Sequence, residues 1–289
     1  MRGRRGPDAC YTWPGLLLSK IAGMSSRLVF IALLLGTVMQ AALAQPRTVY
    51  LEELTWTELR DQVQAGATTV LVPIGGTEQN GPAMVLGKHN VRAHVLAGKI
   101  AAGLGHALVA PVVAYVPEGS VNPPTAHMRF PGTITIPDAA FEATLESAAR
   151  SFRLHGFRDI VFLGDHGGYQ KNMKRVADKL DREWSATPVR VHALDAYYRA
   201  VGGEFAQALK SRGFSDEEIG THAGLADTAL SMAVDPRLVR SERLHASKLG
   251  AAEGVYGDPA RSTADAGQLG VDLIVGRSIE AIKHELAHR

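Results

Sequence analysis

Two apolar runs in this chain end alike, and they constrain its fold more than any other feature. Residues 69–74 read TVLVPI and stop at Gly75-Gly76; residues 160–163 read IVFL and stop at Gly164-Asp165-His166-Gly167-Gly168. A strand that is apolar without alternation is buried on both faces, as happens when helices cover both sides of a parallel sheet. Further strands are expected at 107–116 and 189–194. Helical patterns fall between them: 55–65 stopped by Gly66, a helix capped by Asn90 and ending at Gly103 or Gly105, 138–155 from Asp138, 169–184, 204–212, 229–234 before Pro236, and a closing amphipathic helix at 269–286. The regular alternation predicts one α/β domain with a mainly parallel sheet and offers no internal boundary.

In such a sheet, parallel strands present their carboxyl ends at one edge, where loops carry the chemistry. The first strand end leads into Glu78, Gln79 and Asn80, with His89 shortly after; the second leads into Asp165 and His166. Glu78, His89 and His166 can therefore converge, and one carboxylate with two imidazoles suits Zn²⁺, Mn²⁺ or Fe²⁺ with positions left open for water. The same residues also suit an ordinary polar turn. Gly164–Gly168 lacks the Lys-Ser/Thr of a phosphate-binding loop, and no G-x-S-x-G is present for a serine hydrolase. Residues 117–136 form a long loop rich in Pro and Gly, holding Glu118, Ser120, Asn122 and His127, and ending in a turn and a short strand; loops of this length in a compact domain are usually functional.

The amino-terminal part reads differently. From Met24, one arginine, an apolar run and Ala42-Leu43-Ala44 make a secretory signal peptide, 24–44, with cleavage expected before Gln45; residues 1–23 match no part of such a leader and are read as an extension that precedes it. The domain then spans 45–289. The net charge of +2 belongs to the leader region, since residues 45–289 hold 26 basic and 28 acidic side chains. That balance excludes a nucleic-acid-binding surface. The only cysteine, Cys10, lies before the cleavage point, so the exported chain has no disulfide and no thiol nucleophile. The expected setting is secretion, into a bacterial periplasm, with no membrane anchor after cleavage.

The motifs taken together carry a resemblance. PIGGTEQNGP resembles the strand-end motif P-x-G-[ST]-x-E-Q-H-G-P of the creatininase family. GKHN stands where that family has G-T-D, FPGTITI matches F-P-G-T-[IL] with Ser120 and His127 ahead of it, and GDHGGYQKN resembles N-G-H-G-G-N. HAGLADTALSMAVDPRLV and GVYGDPARST resemble the family's two later elements, and all fall in family order over residues 48–286. The resemblance implies a three-layer α/β/α sandwich, assembly into a homo-oligomer (a hexamer), and a metal-dependent amidohydrolase acting on a small-molecule amide or cyclic amide. It implies Glu78 and His166 as ligands. The family's two other ligand positions differ here, with Asn80 for a histidine and His89 for a bridging aspartate. The expectation is therefore one ion per subunit, zinc before manganese or iron, held by Glu78, His89 and His166 with Asn80 as a further group. His222 and Asp227 are the implied proton-transfer residues; Glu118, Ser120, His127, Asp165 and Tyr169 are expected to line the substrate pocket. Two other readings stay open: hydrolysis of a lactone or ester, and a degenerate scaffold that only binds a small ligand.

Overall fold

Four strands, β1 (Thr69–Ile74), β2 (Ala107–Val109), β3 (Asp159–Gly164) and β4 (Arg190–Ala193), form one parallel sheet in the order β2-β1-β3-β4. The structure is a computed structural model and describes residues 48–245 and 249–288; the expected leader and the residues before it lie outside that range. Among the described residues, no helix is long and apolar enough to cross a membrane.

The two apolar runs become the central strands, β1 and β3, and every residue in both is buried. Side chains alternate across a strand, so each run feeds two cores. Leu71, Val161 and Leu163 point to a core completed by α2 (Lys88–Leu104), α5 (Asp195–Ala200), α8 (Leu225–Val234) and α9 (Ala264–Ala287). Val70, Val72, Ile74, Ile160 and Phe162 point the other way, against α3 (Asp138–Leu154), α4 (Gln170–Glu183) and the partly buried Leu59 and Val63 of α1 (Trp56–Gln64). Helices on both faces of a parallel sheet give the three-layer α/β/α sandwich. A third, smaller cluster, with Met84, Leu238, Val239, Leu244 and Val255, seats the loop after β1 against the chain that follows α8.

Three expectations needed revision. The strand expected over 107–116 is regular only to Val109, since Pro111 cannot donate to a ladder; Val113 rejoins β1 through a single bridge to Ile74. The short strand expected after Thr133 is absent: Ile134 and Ile136 each donate one backbone bond, to Thr77 and Val116, without forming a ladder. Asn90 does not cap α2, which starts two residues earlier. Its side chain reaches back to the first strand end instead, accepting the Gly76 N–H at 2.9 Å and donating to Thr77 Oγ1 at 3.2 Å. That packing explains Gly75, where an added Cβ would lie 2.2 Å from Asn90 Oδ1.

Between β4 and α8 the chain stays helical through α5, a single π turn at Val201–Phe205, and α6 (Ala206–Ser211) before the short α7 (Asp216–Ile219). Gly202 and Gly203 sit in the π turn, at the mouth of the cavity described next.

Candidate metal centre and active site

Register places the two strand ends level. Ile74 pairs with Gly164, and Asp165 N–H donates to Ile74 O at 3.0 Å, so the loops after β1 and β3 leave the sheet side by side. Starting α2 at Lys88 puts Lys88, His89 and Arg92 in its first turns, and all three are buried. Together these elements and the 117–136 loop enclose a cluster of charge beside a cavity of about 650 Å³.

Glu78 is at its centre and is fully buried. His89 Nε2 lies 2.7 Å from Glu78 Oε1, while His89 Nδ1 lies 2.5 Å from Asp165 Oδ2. His166 Nε2 and His127 Nε2 each lie 3.4 Å from Glu78 Oε2, and Lys88 Nζ and His222 Nδ1 each lie 3.7 Å from Glu78 Oε1. Burial opposes ionisation of Glu78, but His89, Lys88 and His166 outweigh it and hold the carboxyl well below its usual range.

A buried ion network surrounds this core. Arg92 donates to Asp165 Oδ2 at 2.7 Å and to Asp227 Oδ1 at 2.5 Å, and the Lys88 ammonium contacts Asp227 Oδ2. Tyr197 donates its hydroxyl to Asp165 Oδ1 at 2.9 Å. Burial works against both aspartates; Arg92 and His89 hold Asp165 low, and Lys88 and Arg92 hold Asp227 well below its usual range.

One residue, Gln79, sets the protonation pattern of two histidines. Its backbone carbonyl lies 3.0 Å and its side-chain nitrogen 3.2 Å from His222 Nε2; the amide's two hydrogens go to its two shorter contacts, and a carbonyl only accepts, so the ring proton is assigned to Nε2 and Nδ1 is left bare. Its side-chain amide donates to Gly254 O and to His127 Nδ1, both at 3.0 Å, so His127 turns an N–H toward Glu78. Burial and the Lys88 charge push His222 down to about 4, so its ring is neutral at pH 7; burial lowers His127 as well.

Residues 52–282 match the family model described as creatininase, creatinine amidohydrolase. The chain belongs to the creatininase family. It is 26% identical over 204 residues to a creatinine amidohydrolase of Pseudomonas putida, covering 68% of this chain and 76% of that one. It is 30% identical over 215 residues to a mycofactocin precursor peptide peptidase of Mycolicibacterium smegmatis, covering 72% and 81%. Solved creatininase structures, a manganese form and a zinc–zinc form of a variant among them, superpose with a TM-score of 0.69 at 25% identity, over 83% of this chain and 99% of theirs. Membership makes the chain a metal-dependent amidohydrolase.

The residues present fit a divalent ion. Ligand atoms of Glu78, His89 and His166 all lie within 4.8 Å of one another. Asp165 behind His89 holds Nδ1–H, the arrangement by which a carboxylate orients a metal-bound imidazole; Nε2 donates to Glu78 Oε1 at 2.7 Å, and ligation there requires that proton to be given up. Glu78 Oε2 is buried and has no hydrogen-bond partner. His166 fits after a change of tautomer. Its Nδ1 accepts the Gly168 N–H at 3.1 Å, which puts the proton on Nε2, and ligation there requires the Gly168 contact to be given up. Burial pushes His166 down to about 3, so its own ring brings no charge against an ion. Glu78, His127 and His222 also lie within 4.8 Å of one another, but His127 presents its N–H there and acts as a donor rather than a ligand.

Four expected roles change. Asn80 donates its amide to Glu78 O at 2.9 Å and Val85 O at 3.0 Å, so it braces the loop rather than joining the ligands. Asp227 is fixed in the network with Lys88 and Arg92 and accepts the Ala223 N–H at 2.9 Å; a carboxylate held so low does not carry a proton near neutral pH. Tyr169 is fully buried behind the loops, with its hydroxyl 2.7 Å from the carbonyls of both Ile74 and Gly75, and it does not line the cavity. Ser120 is exposed and accepts the Asn122 N–H at 3.2 Å within its own loop. His127, His222 and Asp165 do face the cavity. Lys88, Arg92 and Gln79 were missed. The available signal was spacing: Lys88 and Arg92 lie four apart on one helical face that also carries His89.

Proposed function

We propose that this chain hydrolyses the non-peptide C–N bond of a small amide or cyclic amide, with one divalent ion per subunit, zinc first, held by Glu78, His89 and His166. The observation that carries this reading is the line Asp165–His89–Glu78, an oriented imidazole against a buried carboxylate, set beside the bare Nδ1 of His222. An ion there supplies Lewis acidity and lowers the pKa of water at the site. His222 Nδ1 accepts a proton and returns it to the leaving nitrogen, a role suited to a neutral ring whose other nitrogen is fixed by Gln79 O. His127 offers its N–H, and Lys88 its ammonium, to negative charge developing on the carbonyl oxygen. Asp165, Arg92 and Asp227 hold these groups in place.

A substrate panel of cyclic amides, formamides, lactones and short peptides tests the bond class. Turnover of a cyclic amide or formamide by zinc- or manganese-loaded protein is expected, and is lost in His166→Ala. Turnover of lactones alone would replace the amide reading with the ester one, and cleavage of peptides alone would align the chain with its peptidase relative. Two further parts of the reading have their own checks. The leader-like segment 24–44 supports export to a periplasm, and the exported protein is expected to begin at Gln45. Assembly as a homo-oligomer, a hexamer as the family resemblance implies, is read by sedimentation.

A further inference from the structure

Glu118, expected to line the pocket, is absent from the cavity wall and has no part in the chemistry assigned so far, and its surroundings are unusual. The loop carries it from solvent into the site, where its side chain is wholly inaccessible. Its backbone is tied down, donating its N–H to Thr135 Oγ1 at 3.0 Å. Its carboxyl sits over Gly76, where an added Cβ would lie 2.8 Å from Glu118 Oε1. Neither carboxyl oxygen has a hydrogen-bond partner, and Glu78 Oε2 nearby is in the same state. Burying a carboxyl group without a donor costs several kcal/mol in a fold that gains nothing from it. Glu118 Oε2 instead faces His166 Nε2 at 3.7 Å, on the side where that nitrogen also meets Glu78 Oε2 at 3.4 Å.

We propose that Glu118 is a metal ligand of this chain, completing with Glu78, His89 and His166 a four-residue site for a single divalent cation. The proposal rests on the metal-dependent reading above and extends it. It accounts for three unpartnered oxygens at once: a proton shared between the Glu118 and Glu78 carboxyls serves one pair of oxygens, whereas an ion among them satisfies several acceptors together. It also closes the charge. With Glu118 counted, four carboxylates (Glu78, Glu118, Asp165, Asp227) face two fixed cations, Lys88 and Arg92. The deficit of two positive charges is that of one divalent ion; a second would leave an excess in a buried site. Two carboxylates and two imidazoles are a donor set that zinc, manganese and iron all accept.

The test uses the full exported chain, stripped with a chelator and titrated with Zn²⁺ or Co²⁺ alone. Wild type is expected to retain one equivalent. Glu118→Gln keeps the side-chain volume and removes the charge. Loss of an orienting partner already costs about 10–100-fold in metal affinity, so loss of a ligand is expected to weaken binding by at least about 100-fold. The visible spectrum of bound Co²⁺ is expected to change with it, while the thermal melt of the metal-free variant stays at the wild-type value. Wild-type affinity and an unchanged Co²⁺ spectrum in Glu118→Gln would overturn the proposal and leave the metal-dependent reading standing. A wild type that retains no metal would overturn both. Should the variant fail to fold, anomalous diffraction from Co²⁺-loaded wild-type crystals decides: an ion bonded to the Glu118 carboxylate supports the proposal, and an ion out of contact with it refutes it.

Discussion

The loops after β1 and β3 start level on the same sheet edge, each delivers a ligand to one site, and an amide side chain braces two carbonyls in each, yet they hold their ligand side chains differently. The β1 loop is cross-braced. Asn80 spans two carbonyls, Gln79 Oε1 accepts the Gly81 N–H at 2.9 Å, Asn90 grips Gly76, and the Glu78 N–H donates to Leu86 O at 3.1 Å. The β3 loop is braced along its backbone, where Gln170 Nε2 donates to Gly164 O at 3.0 Å and to His166 O at 2.8 Å, but Gly167 and Gly168 are exposed and the His166 ring is held by one backbone N–H. The difference suits their loads. Glu78 meets Lys88, His89, His127, His166 and His222 and must not move, whereas His166 has to change tautomer before it can ligate, and a lightly held ring can do so.

The comparison is broken most directly at Glu78. Glu78→Ala is expected to abolish metal retention, measured by elemental analysis, and to lower hydrolysis at least about a thousandfold, because several kcal/mol of electrostatic stabilisation leave with the ion. A variant that still retained one equivalent would show that the β1 loop is not the anchor. Next in size is Asp165→Asn, at the root of the β3 loop but serving His89 and Arg92. Metal affinity should fall about 10–100-fold in chelator competition. Stability should fall by about 3–5 kcal/mol in urea, since Arg92 loses a buried partner. Asn80→Ala separates bracing from ligation. Two buried carbonyls lose their donor, a cost of about 1–3 kcal/mol in urea, with metal affinity less affected than in Asp165→Asn. Unchanged stability with metal lost would return Asn80 to the ligand set. The smallest effect is expected at Gly168→Ala. The residue is exposed and its new Cβ would lie 3.0 Å from His166 Cε1, so stability should stay within about 0.5 kcal/mol while metal affinity shifts by a few-fold at most. A large loss of stability there would mean the β3 loop is as rigid as its neighbour.

The same contrast explains what could be read from the residues alone. The central strands were legible because burial on both faces leaves an unbroken apolar run, and Glu78, His89 and His166 followed because parallel strands share a carboxyl edge. Lys88 and Arg92 were not legible, since a lysine and an arginine four apart look like a solvated helix face until Asp165 and Asp227, from distant segments, arrive to neutralise them. Tyr169 and Asn80 were misplaced for a related reason. Both sit where family motifs carry polar groups, and only their partners show that they bond to backbone. Glu118 was legible only as a pocket-lining side chain, because the partners that face its carboxyl come from distant segments.

Tyr169 carries one more consequence. Its hydroxyl takes the His166 N–H at 3.1 Å while resting on the carbonyls of Ile74 and Gly75, so a single phenol touches both loops where they leave the sheet. The gap between the two loop roots is then gauged by a rigid ring, as by a fixed spacer, and not by the length or composition of either loop. Either loop can change its residues beyond that point, as the first has at Asn80 and His89, and still bring its ligand to the same separation.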